Sequence, residues 1–486
     1  MTILVYSRYN KDNIRDNLGR SEYSYYFVLR NFLPVLRQIG EVRIINDPQT
    51  EVKQYWDAAQ KADTKCVLLY FSAPHNIVLD LPCPIIPVFA WEYDTIPNES
   101  WGKNKQNNWV EVLRKIGMAI THSEHSVKVI QKELGEHFPV LACPAPVEEK
   151  FVYTPDQFLR REIRKHYELP LSKEIVDSQQ LKLSPPEGPK GFAKRVELTH
   201  ILAQTWAHEV LEDLIPARLY RFLRGVYLFA GTTVAKTVRF LKYKKNKPST
   251  APDQQTATAP ITKYDGIIYT SILNISDHRK NYMDMVAAFC HALGDREDAT
   301  LVLKTPIMED IYFFRQKVTG FLQSLPAFKC RVVFIGSYLD EKAYQELLRA
   351  TTYYVNTSYG EGQCLPLMEF MSAGIPAVAP FATALKDYLS EDNAFLIQTG
   401  ASPTCWQHDE RIAIRTVHHR PDWYSLVAAY KESYEVAHTD EDRYRQMSLD
   451  AAKTLQAHAS PEKTKSRLKA FLHTHVNGQV YDDLHC

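Results

Sequence analysis

The sequence predicts an α/β protein built from two doubly wound halves with an insertion between them. Three observations carry this prediction. Short apolar strands alternate with helical stretches over residues 1–155 and again over 263–425, the pattern of parallel sheets covered by helices. Residues 156–262 lose that alternation and contain the Pro185–Pro189 loop and a Pro-, Thr-, Ala- and Gln-rich run at 247–260, as a linker does. The length, 486 residues, is about three times that of an ordinary domain of about 150 residues.

In the first half, strands are expected at Ile3–Ser7, Val42–Asn46, Cys66–Phe71, Ile85–Trp91 and Ala119–His122, each a short run of β-branched and aromatic residues. Helices are expected at Ser21–Gln38, opening after a turn at Gly19 and threatened by Pro34, and at Glu124–Leu134. In the second half the strands are Gly266–Ser271, Thr300–Lys304, Val332–Ile335, Tyr353–Thr357 and Ala377–Ala379. Its helices are Tyr282–Ala292, Glu309–Gln323, Glu341–Ala350 and Leu365–Ala373, and residues 426–486 form terminal helices packing back across the domains.

Composition narrows the function. A formal net charge of +1 supplies no global field for nucleic acid. The eight cysteines form no C-x-x-C pair, which argues against a zinc ribbon or a dithiol redox site and for a reducing compartment. The first residues run directly into a strand rather than a secretory leader, and no apolar run of about 18 residues occurs. A cytoplasmic protein is expected, at most peripheral on the inner face of a membrane.

The most informative stretch is Asn356–Glu369, which continues into Ala373-Gly374-Ile375-Pro376. A strand ends, a turn holding Glu361 between Gly360 and Gly362 follows, and a helix opens at Leu365-Pro366. Glu369 falls one turn into that helix, so both carboxylates face the carboxyl edge of the sheet. Glycines let backbone approach a ligand, and free N–H groups at a helix start hold a diphosphate. A lone carboxylate of this kind is usually a solvated helix residue; the glycines and the strand–turn–helix setting favour a site. A second turn, Asn274–Asn281, places Arg279 and Lys280 beside the helix opening at Tyr282, fixed positive charge of the kind a departing diphosphate needs.

Ser358–Pro376 resembles the E-x7-E motif of retaining glycosyltransferases of the GT-B fold, especially glycosyltransferase family 4, and Arg279-Lys280-Asn281 resembles that family's basic turn. The resemblance implies two Rossmann-like domains facing a cleft. It assigns Glu369 to the nucleotide ribose, Glu361 to the donor sugar, Lys280 to the phosphate, and the backbone of Gln363, Cys364 and Leu365 to the phosphate cradle with Gly362. Cys364 stands where many members have glycine, and Asn274 where the family often has arginine, leaving Arg279 to compensate. Asn17–Ser21 resembles the glycine-rich first loop, with its pair reduced to Gly19; this glycine either meets the donor or simply allows the turn. Phe89–Pro97 carries Glu92 to a strand end, where it joins Glu361 and Lys280 as an implied catalytic residue. His122 reads as a packed histidine rather than a base.

The implied activity is transfer of a hexose from a nucleotide sugar to a glycan or lipid-linked acceptor with retention, in bacterial surface polysaccharide synthesis. No Asp-x-Asp follows a strand, so neither metal nor cofactor is called for. A nucleotide-sugar epimerase of the same fold and a non-catalytic partner subunit are the alternatives. In the insertion, 214–250 carries Arg218, Arg221, Arg224 and a following lysine-rich run with no acidic residue; this basic amphipathic stretch either meets an anionic membrane or packs on the first domain.

Overall fold

The computed structural model describes residues 1–20, 22–147, 165–170, 175–181, 261–306 and 311–476. Ser21 and the basic stretch 214–250 lie outside the described residues.

The N-terminal lobe has six parallel strands: β1 (Thr2–Ser7), β2 (Glu41–Ile44), β3 (Cys66–Phe71), β4 (Ile85–Phe89), β5 (Ala119–Thr121) and β6 (Val140–Ala142) in the order β2-β1-β3-β4-β5-β6. Every residue of β3 and β4 is buried, which explains their unbroken apolar sequences: a parallel sheet has helices on both faces. Those helices are α1 (Ser24–Leu36), α2 (Pro48–Lys61), α3 (Trp109–Ile116) and α4 (Glu124–Leu134). Their starts are written locally, with Asp47, Asn108 and Ser123 accepting backbone hydrogen bonds from Gln49, Glu111 and Ser126. Pro34 is accommodated inside α1, which ends only at Leu36.

Two further strands come from within 156–262, β7 (Lys165–Pro170) and β8 (Ile175–Asp177), and both join the C-terminal sheet. That sheet continues with β9 (Ile261–Ile272), β10 (Ala299–Lys304), β11 (Arg331–Ile335), β12 (Tyr353–Val355), β13 (Ala377–Pro380) and β14 (Ala394–Ile397) in the order β14-β13-β12-β9-β10-β11-β8. β9 through β14 pair in parallel, whereas β8 lies antiparallel on β11 and β7 on β9. Asp177 of β8 accepts from Arg331 Nε at 3.1 Å, and the guanidinium lies 4.1 Å above the Tyr264 ring. This buried ion pair acts together with the buried Ile175 and Val176 to hold a three-residue edge strand.

Helices α5 (Tyr282–Leu293), α6 (Ile311–Ser324), α7 (Glu341–Ala350) and α8 (Leu365–Ser372) cover this sheet, and a hairpin of β15 (Thr399–Thr404) and β16 (Thr416–Pro421) follows it. Helices α9 (Trp423–Thr439), α10 (Glu441–Ala459) and α11 (Pro461–His475) end the described chain. Chain order and core membership part here. α9 buries Leu426 and Tyr430 in the C-terminal core, but Leu468, Phe471 and Leu472 of α11 lie in the N-terminal core. Trp406, beyond β15, is 2% exposed in that same N-terminal core. Both lobes belong to one compact unit. Among the described residues no helix is long and apolar enough to cross a membrane.

Candidate functional site

Each sheet reverses its strand order once, between β1 and β3 in the N-terminal lobe and between β12 and β9 in the C-terminal lobe. Ligands of such sheets bind beyond the carboxyl ends of the strands at that reversal. In the C-terminal lobe the two loops at this point run from Leu273 to Asn281 and from Asn356 to Cys364. They are the two motifs singled out in the sequence, and the fold brings them into contact.

Glu361 is the hub. Its Oε1 accepts from Lys280 Nζ at 2.6 Å, Ser358 Oγ at 2.6 Å and Asn356 Nδ2 at 3.0 Å. Among the described residues, Oε2 has one hydrogen-bond partner, Arg279 NH1, at 3.4 Å. Thr383 Oγ1 fixes the backbone, accepting from Glu361 N at 2.9 Å and donating to its carbonyl at 3.1 Å. Burial alone would push this acid up, but Lys280 and Arg279 with the hydrogen bonds from Lys280 and Ser358 hold it down to about 2. Burial would likewise strip Lys280 of its proton; Glu361 outweighs that and keeps the ammonium charged above its ordinary range.

Arg279 joins the lobes. Its NH1 donates to the Gly360 carbonyl, NH2 to Asp277 Oδ2 at 3.2 Å, and Nε lies 3.0 Å from Oε1 of Glu92 in the N-terminal lobe. The last is an ion-pair contact without the alignment of a hydrogen bond. Burial opposes the guanidinium charge, and Glu92, Asp277 and Glu361 restore it. Burial raises Glu92 against the pull of Arg279. Two cations, Arg279 and Lys280, thus face three carboxylates, and burial favours a proton on Glu92 while the cations keep Glu361 ionised.

The glycines of the turn serve a purpose not visible in the sequence. A Cβ on Gly360 would stand 2.6 Å from the Glu92 carbonyl oxygen, and one on Gly362 would stand 2.6 Å from Ala90 Cβ. What approaches these glycines closely is the N-terminal lobe. Gln363 Oε1 accepts from Ala145 N at 3.0 Å, and Leu365 packs against the N-terminal core. The stretch expected to cradle phosphates therefore also forms the seam between lobes. Cys364 sits at φ +58° immediately before α8, the left-handed region where glycine is free of strain; burial pushes its thiol up to about 12.

Glu369 lies in α8, buried, and accepts from the Tyr344 hydroxyl of α7. It shares no direct hydrogen bond with Glu361 or Lys280 among those described. Asn274 Nδ2 donates to the carbonyl of Gly19, at 3.1 Å, across the lobes. Gly19 takes φ +82°, so the turn itself requires glycine there. His122 is 1% exposed, its Nδ1 3.0 Å from the Cys143 carbonyl, and burial holds it down to about 4; it is a packed histidine.

Sequence reasoning assigned no role to Asn356, Ser358, Thr383 or Tyr344, whose contacts depend on loop geometry. It also passed over Lys304, at the carboxyl end of β10, where burial lowers the ammonium to about 8. A lysine closing an apolar strand at the ligand-binding edge was the available signal. Among the described residues no group of three His, Cys, Asp or Glu side chains is arranged to hold a metal ion.

Residues 266–407, which span the C-terminal lobe from β9 to beyond β15, match the family described as Glycosyl transferases group 1. No curated protein matches the chain in sequence. Among solved structures it is similar to sucrose-phosphate synthase from Thermosynechococcus elongatus, at 12% identity and a TM-score of 0.53 over 98% of each chain. It is also similar to HepE of Anabaena in complex with UDP and glucose, at 11% identity and a TM-score of 0.49 over 98% of this chain and 100% of that one. A glycosyltransferase from Rickettsia africae gives 9% and 0.49 over 97% of this chain and 98% of that one. Likeness at these identities concerns the fold, which is that of GT-B proteins with two Rossmann-like domains. With the family match over the C-terminal lobe, it supports a glycosyltransferase.

Proposed function

We propose that the chain is a retaining glycosyltransferase that moves a hexose from a nucleotide sugar to a glycan or lipid-linked acceptor, in the assembly of bacterial surface polysaccharide. One observation carries the reading. An ionised, buried Glu361 and a charged Lys280 share one hydrogen-bonded cluster at the strand-order reversal of the lobe that matches the glycosyltransferase family.

In this reading the donor diphosphate lies against Lys280 and the start of α8, and Glu369 takes the ribose. Glu361 accepts from a hydroxyl of the sugar and fixes the ring for departure of the nucleotide. A diphosphate at this point adds negative charge to a cluster that already holds three carboxylates, so Glu92 gives way at Arg279 or takes up a proton. The leaving diphosphate accepts the proton of the acceptor hydroxyl on the same face, and the charge developing on it is met by Lys280, Arg279 and the helix start in place of a metal. The reaction belongs to the cytoplasm, and the basic stretch 214–250 would hold the protein to an anionic membrane beside a lipid-linked acceptor. Vesicle flotation with and without that stretch checks this part.

The central test is a thermal-shift panel of UDP-, GDP- and dTDP-sugars followed by turnover assays. One donor class is expected to raise the melting temperature, since a ligand that favours the native state stabilises it, and to be consumed in the presence of an acceptor. No shift and no turnover with any nucleotide sugar would overturn the proposal. Interconversion of the sugar without acceptor would make the protein an epimerase.

A further inference from the structure

We propose that Asn356 and Ser358 are positioning residues that present a single oxygen of Glu361 to the donor sugar. The inference rests on the glycosyltransferase reading above. Its basis is an oxygen-by-oxygen account of a side chain only 5% exposed.

Oε1 receives three donors, Lys280 Nζ, Ser358 Oγ and Asn356 Nδ2, within 3.0 Å. A carboxylate oxygen has two lone-pair directions, so Oε1 has no capacity left for a substrate hydroxyl. Among the described residues the hydrogen-bond partner of Oε2 is Arg279 NH1, at 3.4 Å, a distance at which little of a hydrogen bond is made. Any hydroxyl recognised by Glu361 therefore meets Oε2.

The two neutral donors are themselves held in place. The Asn356 side-chain oxygen Oδ1 accepts from Ser358 N at 2.8 Å, closing a short turn at the end of β12, and its Nδ2 also reaches Cys364 Sγ at 3.2 Å. The turn fixes Ser358 and Asn356 on the same side of Glu361. Lys280 alone would neutralise the carboxylate without fixing its rotation, because an ammonium on a four-carbon stem is a point charge. The serine and the asparagine set which oxygen points outward.

The test compares wild type with Ser358→Ala and Asn356→Asp, an isosteric change that keeps the acceptor for Ser358 N and removes the donor to Glu361. Loss of a hydrogen bond to a charged group predicts a fall in kcat of roughly 10-fold or more with KM changed far less. The acid limb of the kcat/KM profile should move towards neutral pH, since Glu361 loses a partner of its ionised form. Ser358→Thr, which restores the hydroxyl, should recover most of the rate. In a Glu361→Gln background, Ser358→Ala should change the rate little further. Variants with an unmoved acid limb, or with loss confined to KM, would overturn the proposal, as would failure of Ser358→Ala to fold, which would make the serine structural. A wild type inactive towards every nucleotide sugar would instead overturn the function on which the inference rests. The acid dependence of the melting temperature then still reports whether Ser358 and Asn356 hold Glu361 ionised.

Discussion

Each lobe is a doubly wound sheet with one reversal of strand order, reached after two strands in the N-terminal lobe and after three in the C-terminal lobe, and the loops at the two reversals are joined by opposite chemistry. In the N-terminal lobe, Glu22 at the start of the first helix crosses to the loop after β3, accepting from Ser72 Oγ at 2.7 Å and Ala73 N at 2.9 Å. In the C-terminal lobe, Arg279 and Lys280 at the equivalent helix start cross to the loop after β12 and meet Gly360 and Glu361. Both crossings lie beside a residue in the left-handed region, Glu22 itself at φ +67° and Asn281 at +51°. One carboxylate closes the first reversal point with neutral donors; two cations and three carboxylates occupy the second. The second carries the fixed cations that the proposed donor diphosphate would meet.

The sharpest way to break this comparison is to neutralise each carboxylate in turn. Glu361→Gln is expected to lower turnover roughly 1,000-fold, as loss of a preorganised polar group at a reacting centre does. Glu22→Gln keeps an acceptor oxygen for its two donors and should leave turnover within about twofold, with a stability change below about 1 kcal/mol. Equal losses in both variants would mean that the two crossings share a purely structural task.

A second contrast concerns how the lobes are held. Trp406 leaves the C-terminal hairpin and stacks on Trp101 at 5.9 Å in the N-terminal core. Trp406→Ala should cost about 3 kcal/mol in unfolding experiments, the size expected for removing a buried indole. Two separated melting transitions in this variant would show that the lobes have become independent.

Acid titration separates the buried histidines from Glu361 by pH. His122 in the N-terminal lobe, together with His408 and His458, is held by burial at about 4, below its ordinary 6.5. The unfolded chain takes these protons first, so this stability is present above pH 6.5 and is lost as pH falls towards 4. Glu361 is held at about 2 against an ordinary 4.5. Its contribution is present above pH 4.5 and lost as pH falls towards 2. Melting temperatures should therefore fall in two stages, and Glu361→Gln should remove only the lower one.

The smallest effect sharpens the seam between the lobes. Cys364→Gly removes a side chain from a left-handed position worth about 1 kcal/mol of strain, against a similar loss of buried thiol contact, so stability should change by less than about 1 kcal/mol in denaturant titration.

The sequence by itself determined most of the strands, most of the long helices and the two loops of the site, but not the 14-residue α2. Apolar runs such as Cys66–Phe71 and caps such as Ser123 and Asp340 act over a few residues, and both Glu124–Leu134 and Glu341–Ala350 have the bounds that their sequence patterns imply. The charged turns were legible for the same reason, since a strand end, a glycine and a helix start are local signals. Short elements such as β6, β8 and the β15–β16 hairpin were not, because three apolar residues or a polar hairpin fit many conformations.

Only the tertiary structure decided what the loops touch. Gly360 and Gly362 read as room for a ligand, and they are occupied by Ala90 and Glu92 from some 270 residues earlier in the chain. Arg279 read as fixed positive charge for a diphosphate, and it also meets four partners in two lobes. Which carboxylate oxygen of Glu361 faces outward depends on distances of a few tenths of an ångström among side chains brought together by the whole sheet. Hydrogen bonds and close contacts are short-ranged, so pairings between distant segments follow from packing and carry no signature in a linear pattern.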